Sequence, residues 1–286
     1  MAYGTAIRPP TRSGHASPWR PGRGALVARA SEGVTAVVTA RAESPLRFVR
    51  PTFPGTRSKA VCLVTFGGGL VDGDEVDVDV DVEAGATLVV FTQSSTKVFR
   101  GASRQVLRAR VEGTLILLPD PVAAFAGARY TQRVDVDLGA EGSCVVLDGF
   151  TSGRAAFGER WAMTSLDLRT TISREGRTLL SDALVFDAAS GALADRTGTF
   201  DAFATLLAVG RGVDPIAQAI LRETVAPPSP DLVVASSPLP RAFDAGLPGA
   251  IARIAASSPS KALVAVRSRI RNLPDIDAVD PFGSRY

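Results

Sequence analysis

Residues 76–92, VDVDVDVEAGATLVVFT, decide the fold class of this chain. Valine and aspartate alternate through the first half, which is the period of a strand with one buried face and one solvated face. Gly85 then marks a turn, and the second half is a more apolar run. The stretch therefore predicts an alternating strand, a glycine turn and a more apolar strand.

Three further stretches repeat this unit with weak identity. They span residues 106–120, 133–150 and 166–186. The turn glycines of the four units are 28, 29 and 34 residues apart, at Gly85, Gly113, Gly142 and Gly176. Regular spacing of this kind is typical of one supersecondary unit stacked on the next. We predict a mainly β (α+β) fold of stacked antiparallel β-hairpins in a sandwich- or solenoid-like arrangement.

The last third of the chain changes character. Asp214 and Pro215 match the cap and the first turn of a helix over residues 214–225. A second helix is predicted over residues 258–272, with its cap near Ser258. About two helices are therefore expected beside the strands.

Residues 24–286 are predicted to form a single domain, and residues 1–23 are interpreted as a disordered tail. The tail contains four prolines and lacks the apolar segment of a secretory signal. Cys62 and Cys144 stand far apart in apolar stretches, which indicates buried free thiols in a reducing compartment. We predict a cytoplasmic protein with no membrane partner.

Composition also limits the chemistry. The net charge is only +3 and the arginines are scattered, so no nucleic-acid interface is expected. The single histidine, His15, lies in the predicted tail, whereas a catalytic triad or a zinc site needs an ordered imidazole. We therefore predict no catalytic residues of these types and no tightly bound soft-metal cofactor, and almost no residues remain that could run a hydrolytic enzyme.

A glycine-rich turn precedes the alternating strand. Its four glycines occupy seven positions, at Gly67, Gly68, Gly69 and Gly73. Consecutive glycines cost conformational entropy on folding, so they predict positive φ angles or the close approach of another backbone. Asp74 closes the turn, and the acidic residues that alternate after it are interpreted as a solvated face. Neither a calcium loop nor a phosphate-binding loop fits, because the positions that need glycine and lysine hold Val82 and Asp74.

One loop carries three charges close together. Arg154, Glu159 and Arg160 fall within seven residues. Opposite charges at this spacing can form ion pairs that hold the loop in one conformation. The same charges could instead serve a functional site, and both interpretations stay open.

Several unusual loops occur together and in order along the chain. They are SPLRFVRP (44–51), GGGLVDGDEV (67–76), TQSSTKVFRG (92–101), LLPDPVAAFAGARYTQ (117–132), LDGFTSGRAAFGERW (147–161) and LLSDALVFD (179–187). This set resembles the urease accessory proteins of the D type, called H in some bacteria, over roughly residues 41–272. The forms PDPV, TSGR and GERW are similar to those of plant and fungal members.

The resemblance implies a mostly β fold with two helices and a non-enzymatic role in the maturation of urease, a nickel hydrolase. Such proteins contact the urease apoprotein and an F-type accessory protein, which in turn holds a nickel-carrying GTPase of the G type. Nickel is thought to pass through an internal channel of the D-type protein. Nickel would then be in transit and not a bound cofactor.

The family's polar motif positions imply candidate residues for that channel. The weak transit ligands would be Asp74, Asp148, Glu159 and Asp182, and the motif residues would be Gly67, Gly68, Gly69, Gly73, Thr96, Lys97 and Arg154. Oxygen ligands suit a path because the ion must also leave.

Two of these carboxylates, Asp148 and Asp182, stand in apolar stretches. Each needs a partner or a water-filled cavity, and Lys97 or Arg154 is the expected partner. The alternative function is a structural clamp that holds the accessory proteins on urease and has no ion path of its own.

Overall fold

The computed structural model describes residues 22–53, 55–222, 227–240 and 247–271. The predicted tail lies outside the described residues apart from Gly22 and Arg23, which begin the first strand. The described strands are β1 (Gly22–Ser31), β2 (Val34–Ala42), β3 (Leu46–Val49), β4 (Lys59–Thr65), β5 (Glu75–Val82), β6 (Thr87–Thr92), β7 (Thr96–Val98), β8 (Gly101–Val111), β9 (Thr114–Leu118), β10 (Val122–Ala124), β11 (Ala128–Leu138), β12 (Ser143–Thr151), β13 (Gly153–Arg154), β14 (Glu159–Arg160), β15 (Ser165–Arg174), β16 (Arg177–Asp187), β17 (Ala202–Val209), β18 (Leu232–Pro238) and β19 (Gly249–Ala256). The described α-helices are α1 (Leu193–Thr197), α2 (Asp214–Arg222) and α3 (Pro259–Ile270).

Two large sheets face each other across a shared apolar core. Sheet A has the strand order β16-β15-β11-β8-β5-β1-β2. Sheet B has the order β18-β19-β17-β12-β9-β6-β4-β3, and β10 and β7 extend it beside β12. The mainly β fold class is therefore confirmed.

The two strands of a repeat do not pair with each other as predicted. β5 lies in sheet A and β6 in sheet B, and the same split separates β8 from β9 and β11 from β12. Equivalent strands of successive repeats pair in parallel instead, as in β5–β8–β11–β15. The prediction of antiparallel hairpins is wrong for these three units, although their solenoid-like stacking is confirmed. The fourth unit, β15–β16, is an antiparallel hairpin.

The turns explain this difference. Glu175 and Gly176, between β15 and β16, have φ angles of 51° and 75°, the pair of positive values that a tight hairpin turn requires. Gly113 and Gly142 serve another purpose, because a Cβ atom there would lie 2.3 Å and 2.1 Å from a backbone oxygen of the preceding unit. Each of these turns is therefore stacked on the one before it while the chain crosses to the other sheet.

Two apolar layers account for the two strand patterns. Sheet A contributes one face to the core between the sheets, so β5 alternates buried valine with solvated aspartate. Sheet B is buried on both faces: Leu88 and Val90 join the core between the sheets, while Val89 and Phe91 join a second core under the helices. The pattern predicted from residues 76–92 is confirmed.

The two predicted helices cover the outer face of sheet B. Ser258 caps α3 by accepting a hydrogen bond from Lys261 N, as expected. Asp214 is not a cap, because it already has helical angles (φ −54°, ψ −39°) and follows a 3-10 turn at Arg211–Val213. Residues 223–225 of the predicted first helix lie outside the described residues.

Helix α1 and strand β18 were not predicted. A helix of five residues is too short to show an apolar period. Among the described residues, no helix has the length and apolarity that crossing a membrane requires.

Candidate functional site

The glycine-rich turn packs against β7. Gly67, Gly68 and Gly69 have φ angles of 82°, 76° and 155°, which residues with side chains rarely adopt. A Cβ atom on Gly69 would lie 2.5 Å from Lys97 O, and Leu70 N donates to that same oxygen at 2.8 Å. Both predicted reasons for the glycines, positive φ and close backbone approach, are confirmed.

Asp74 holds the end of this turn. Its Oδ2 accepts a hydrogen bond from Val71 N at 2.8 Å. Gly73, with a φ of 87°, donates from its N to Ala102 O at 2.7 Å. Bonds from the backbone to a nearby aspartate are typical of turns, so a structural role accounts for this carboxylate.

A polar cavity of about 270 Å³ lies beside the turn. Gly68, Gly69, Thr96 and Lys97 line it, so the structure brings four of the predicted motif residues together. Gln105, on the inner side of β8, also lines it. We call this space the glycine-loop cavity.

A second cavity, of about 240 Å³, lies between the sheets near the edge strands β16 and β18. Asp148 of β12 and Asp182 of β16 line it from opposite sheets, together with Arg253 of β19. Asp148, Thr205 and Arg253 are neighbours in register across β12, β17 and β19. We call this space the acidic cavity, and it brings two of the predicted transit carboxylates together.

The surroundings of Asp148 disfavour its charged form. Burial raises the pKa of this carboxyl to about 6 and the negative charge of Asp182 adds to the rise, whereas a hydrogen bond from Gln132 opposes it. Asp148 therefore gains and loses its proton just below neutral pH.

Asp182 is paired with Arg253. Arg253 Nη2 contacts Asp182 Oδ1, and Nη1 lies 3.4 Å from Oδ2. The pair joins sheet A to sheet B across the acidic cavity. The expected partners, Lys97 and Arg154, were wrong, because β19 places Arg253 opposite Asp182 while Arg154 is committed to another loop.

Polar side chains connect the two cavities through the core. Tyr130, which is 1% exposed, places its Oη 3.2 Å from Gln105 Oε1 and 3.1 Å from Gln132 Oε1. Gln132 Nε2 donates to Asp148 Oδ1 at 3.0 Å. Gln105 lines the glycine-loop cavity and Asp148 lines the acidic cavity. We call the line formed by Gln105, Tyr130, Gln132 and Asp148 the polar seam.

Two buried hydroxyls beside the polar seam have no hydrogen-bond partner among the described residues. Ser103 Oγ and Thr170 Oγ1 make no hydrogen bond within the described part of the chain, although these residues are only 8% and 3% exposed. Ser103 is opposite Tyr130 in register, and Thr170 is opposite Asp182. Buried hydroxyls are normally paired, so both positions suit water or a passing ion.

Arg154 and Glu159 occupy a separate surface cavity. Arg154 Nη2 lies 2.6 Å from Glu159 Oε1, and its guanidinium carbon lies 4.4 Å from the centre of the Phe125 ring. The hydrogen bond from Arg154 lowers the pKa of Glu159. Arg160, the third charge of this loop, pairs with Asp201 at 2.6 Å. Ion pairs that hold the loop are therefore confirmed.

The predicted transit carboxylates lie in three places: the turn, the acidic cavity and the Arg154 loop. Within the ranges that the structure describes, no three His, Cys, Asp or Glu side chains are placed to hold one metal ion. Cys62 and Cys144 are buried, as predicted, and form no disulfide among the described residues. Burial raises the pKa of Cys144 to about 12.

Sequence comparison assigns the family. A sequence model of the UreD urease accessory protein family matches residues 20–275. The chain belongs to the UreD family. The urease accessory protein UreD of Sorangium cellulosum is 40% identical over 270 residues, which cover 93% of this chain and 84% of that protein. The protein of the same name from an Anaeromyxobacter strain is 34% identical over 272 residues, covering 92% and 89%.

Plant members of the UreD family match a shorter stretch. Urease accessory protein D of Oryza sativa subsp. indica is 33% identical over 197 residues, which cover 65% of this chain and 64% of that protein. The resemblance inferred from the unusual loops is thus confirmed. Those loops supply residues of both cavities, since GGGL and TQSSTK border the glycine-loop cavity and Asp148 and Asp182 border the acidic one.

Neither the UreD motifs nor the strand patterns identified three residues of the polar seam, which are Gln105, Tyr130 and Gln132. Each occupies an inward position in a strand that also has inward apolar residues, such as Leu107 in β8 and Val134 in β11. A polar residue that breaks the inward apolar period is the signal that could have found them.

Proposed function

We propose that this member of the UreD family acts in the maturation of urease, as a scaffold that passes nickel toward the urease active site. The polar seam carries the proposal, because it joins two cavities through an otherwise apolar core. Burying polar groups there costs free energy unless they are paired, and the Ser103 and Thr170 hydroxyls have no partner within the described part of the chain. A hydrated or partly hydrated ion that passes along the polar seam would provide these groups with partners.

The oxygen ligands along this path suit the passage of a nickel ion and not its storage. They are amide, phenol and carboxylate oxygens, which bind nickel more weakly than imidazole or thiolate do. The described residues contain no histidine. Cys144 precedes Asp148 on the same face of β12, but its raised pKa keeps it a neutral thiol, and a thiol is not the metal-binding form. An ion can therefore enter and leave the seam.

We infer the partners from the family. The urease apoprotein, an F-type accessory protein and, through it, a G-type GTPase would assemble with this chain in the cytoplasm. Free buried cysteines support a reducing compartment. The proposed role is non-catalytic, with nickel as cargo.

One observation favours the clamp as a second candidate. Val71 and Phe157 are 50% and 77% exposed, and the Arg154 guanidinium carbon lies 5.6 Å from the centre of the Phe157 ring. Exposed apolar and aromatic side chains beside arginine are typical of the residues that dominate protein interfaces. This surface would serve docking in either account, whereas the polar seam has a use in the nickel path alone.

The maturation role is tested by producing urease with its other accessory proteins and nickel, with and without this chain. We expect nickel content and urease activity to fall together when the chain is absent, and a wild-type copy to restore both. The measurement is nickel per purified urease by mass spectrometry, beside the specific activity. Urease that is fully loaded without this chain would sink the proposal.

A further inference from the structure

Arg253 occupies the position in the acidic cavity where a cation would bind. It is the one basic side chain among the described residues that line this cavity. Its guanidinium pairs with Asp182, and Asp148 lies in the same row of sheet B with Thr205 between them. The Asp182 side chain is 13% exposed, whereas that of Arg253 is 51% exposed. A solvent-accessible positive charge thus pairs with a carboxylate that is mostly shielded from solvent.

Without Arg253 the acidic cavity would contain the ligands of a divalent cation site. Asp148 and Asp182 face it from opposite sheets, and the charge of Asp182 already acts on the Asp148 carboxyl. Thr205 lines the cavity as well, and the buried Thr170 hydroxyl beside Asp182 has no partner in the described chain. Carboxylate and hydroxyl oxygens are ligands that divalent cations accept.

We propose that Arg253 keeps the acidic cavity from retaining nickel. Its guanidinium neutralises Asp182 and competes with an arriving ion for that carboxylate. When the ion leaves, the guanidinium pairs with Asp182 again. Guanidinium stays protonated at every physiological pH, so the competition is always present. The inference rests on the proposed nickel path and adds the residue that sets how tightly the path holds its ion.

The test is Ni²⁺ binding by the purified full chain, measured by titration calorimetry with NiCl₂. Arg253→Gln should bind one Ni²⁺ at least about tenfold more tightly than the wild type, because a unit positive charge next to the carboxylates is gone. The double variant Arg253→Gln/Asp182→Asn should lose this gain, and Arg253→Lys should stay close to the wild type. Arg133→Gln is the matched control, since Arg133 pairs with Asp167 at 3.1 Å and lines no part of the acidic cavity.

Two results would overturn the inference: equal affinity in Arg253→Gln and the wild type, or a gain that persists in the double variant. Far-ultraviolet circular dichroism of each variant shows that the sheets are retained. Urease co-production then separates this inference from the function on which it rests. Tighter binding together with fully loaded urease would uphold the effect of Arg253 on the cavity and contradict the nickel path.

Discussion

Asp148 holds its proton more tightly in the folded chain than an exposed aspartate does. Its carboxyl is half-buried between the two sheets, close to the negative charge of Asp182, and accepts a hydrogen bond from the Gln132 side chain. Burial and the charge of Asp182 disfavour the carboxylate, whereas hydrogen bonds from the Gln132 side chain and the Gly149 backbone favour it. The carboxyl is therefore partly protonated near pH 6, where an exposed aspartate would be fully ionised.

Replacing Asp148 with asparagine should change how stability depends on pH. The folded wild type binds this proton more strongly than the unfolded chain, so the wild type loses stability as pH rises from 3.8, the ordinary aspartate value, to about 6. Asparagine does not titrate. The stability of Asp148→Asn relative to the wild type should therefore rise by on the order of 2 kcal/mol across that interval.

Urea unfolding at about pH 4 and about pH 7.5 measures most of this change, because the two conditions lie on either side of the folded-state pKa of about 6. Asp79→Asn, at a side chain that is 70% exposed on the outer face of sheet A, gives the background response to losing a carboxylate. An Asp148→Asn effect of equal size at both pH values would show that burial does not set the protonation of this group.

Single residues were predictable where they broke a local pattern. Asp148 and Asp182 interrupt apolar runs, so their need for a cavity or a partner could be inferred from the sequence. Arg253 could not be found in this way, because one charged residue in a strand usually points to solvent. Its role depends on the register that places β19 opposite β16 across the acidic cavity.

At the scale of elements, the dipeptide Glu-Gly occurs in four turns with two outcomes. In the turns at residues 32–33 and 175–176 both residues have positive φ, and the flanking strands pair as hairpins. At residues 112–113 and 141–142 the same dipeptide carries the chain to the other sheet, and glycine is needed because a Cβ atom has no room. Stacking between units decides the outcome, which is why local sequence predicted hairpins wrongly.

Gly142→Ala should therefore be costly. The added Cβ would lie 2.1 Å from Val111 O, so the stacked turn must shift, at about 3 kcal/mol. Gly176→Ala is the matched control: a Cβ there meets nothing within 4 Å, and the strain of a positive φ costs about 1 kcal/mol. Chemical denaturation of both variants and of the wild type measures how much free energy of unfolding each substitution removes. Equal losses of stability would contradict the stacking account.

At the scale of the whole molecule, sheet A, sheet B and the helices α2 and α3 form successive layers. The strand patterns predicted apolar faces that stack on one another, but not that the more apolar strands would be covered on both faces. The patterns could not show the polar seam. Its members come from β8, β11 and β12, and they meet only because successive repeats stack in a particular register.

The nickel path is tested most directly by the nickel content of urease matured with Gln132→Leu. Gln132 is the amide between Tyr130 and Asp148, and leucine fills its space without a polar group. Gln218→Leu is the control, because Gln218 is a half-buried amide in α2 beyond the far face of sheet B.

Co-purification of the accessory proteins with urease shows whether the complex still assembles. We predict an intact complex and urease that is severalfold poorer in nickel with Gln132→Leu, but not with Gln218→Leu. Urease fully loaded by an intact Gln132→Leu complex would contradict the path and leave the clamp as the function of this chain.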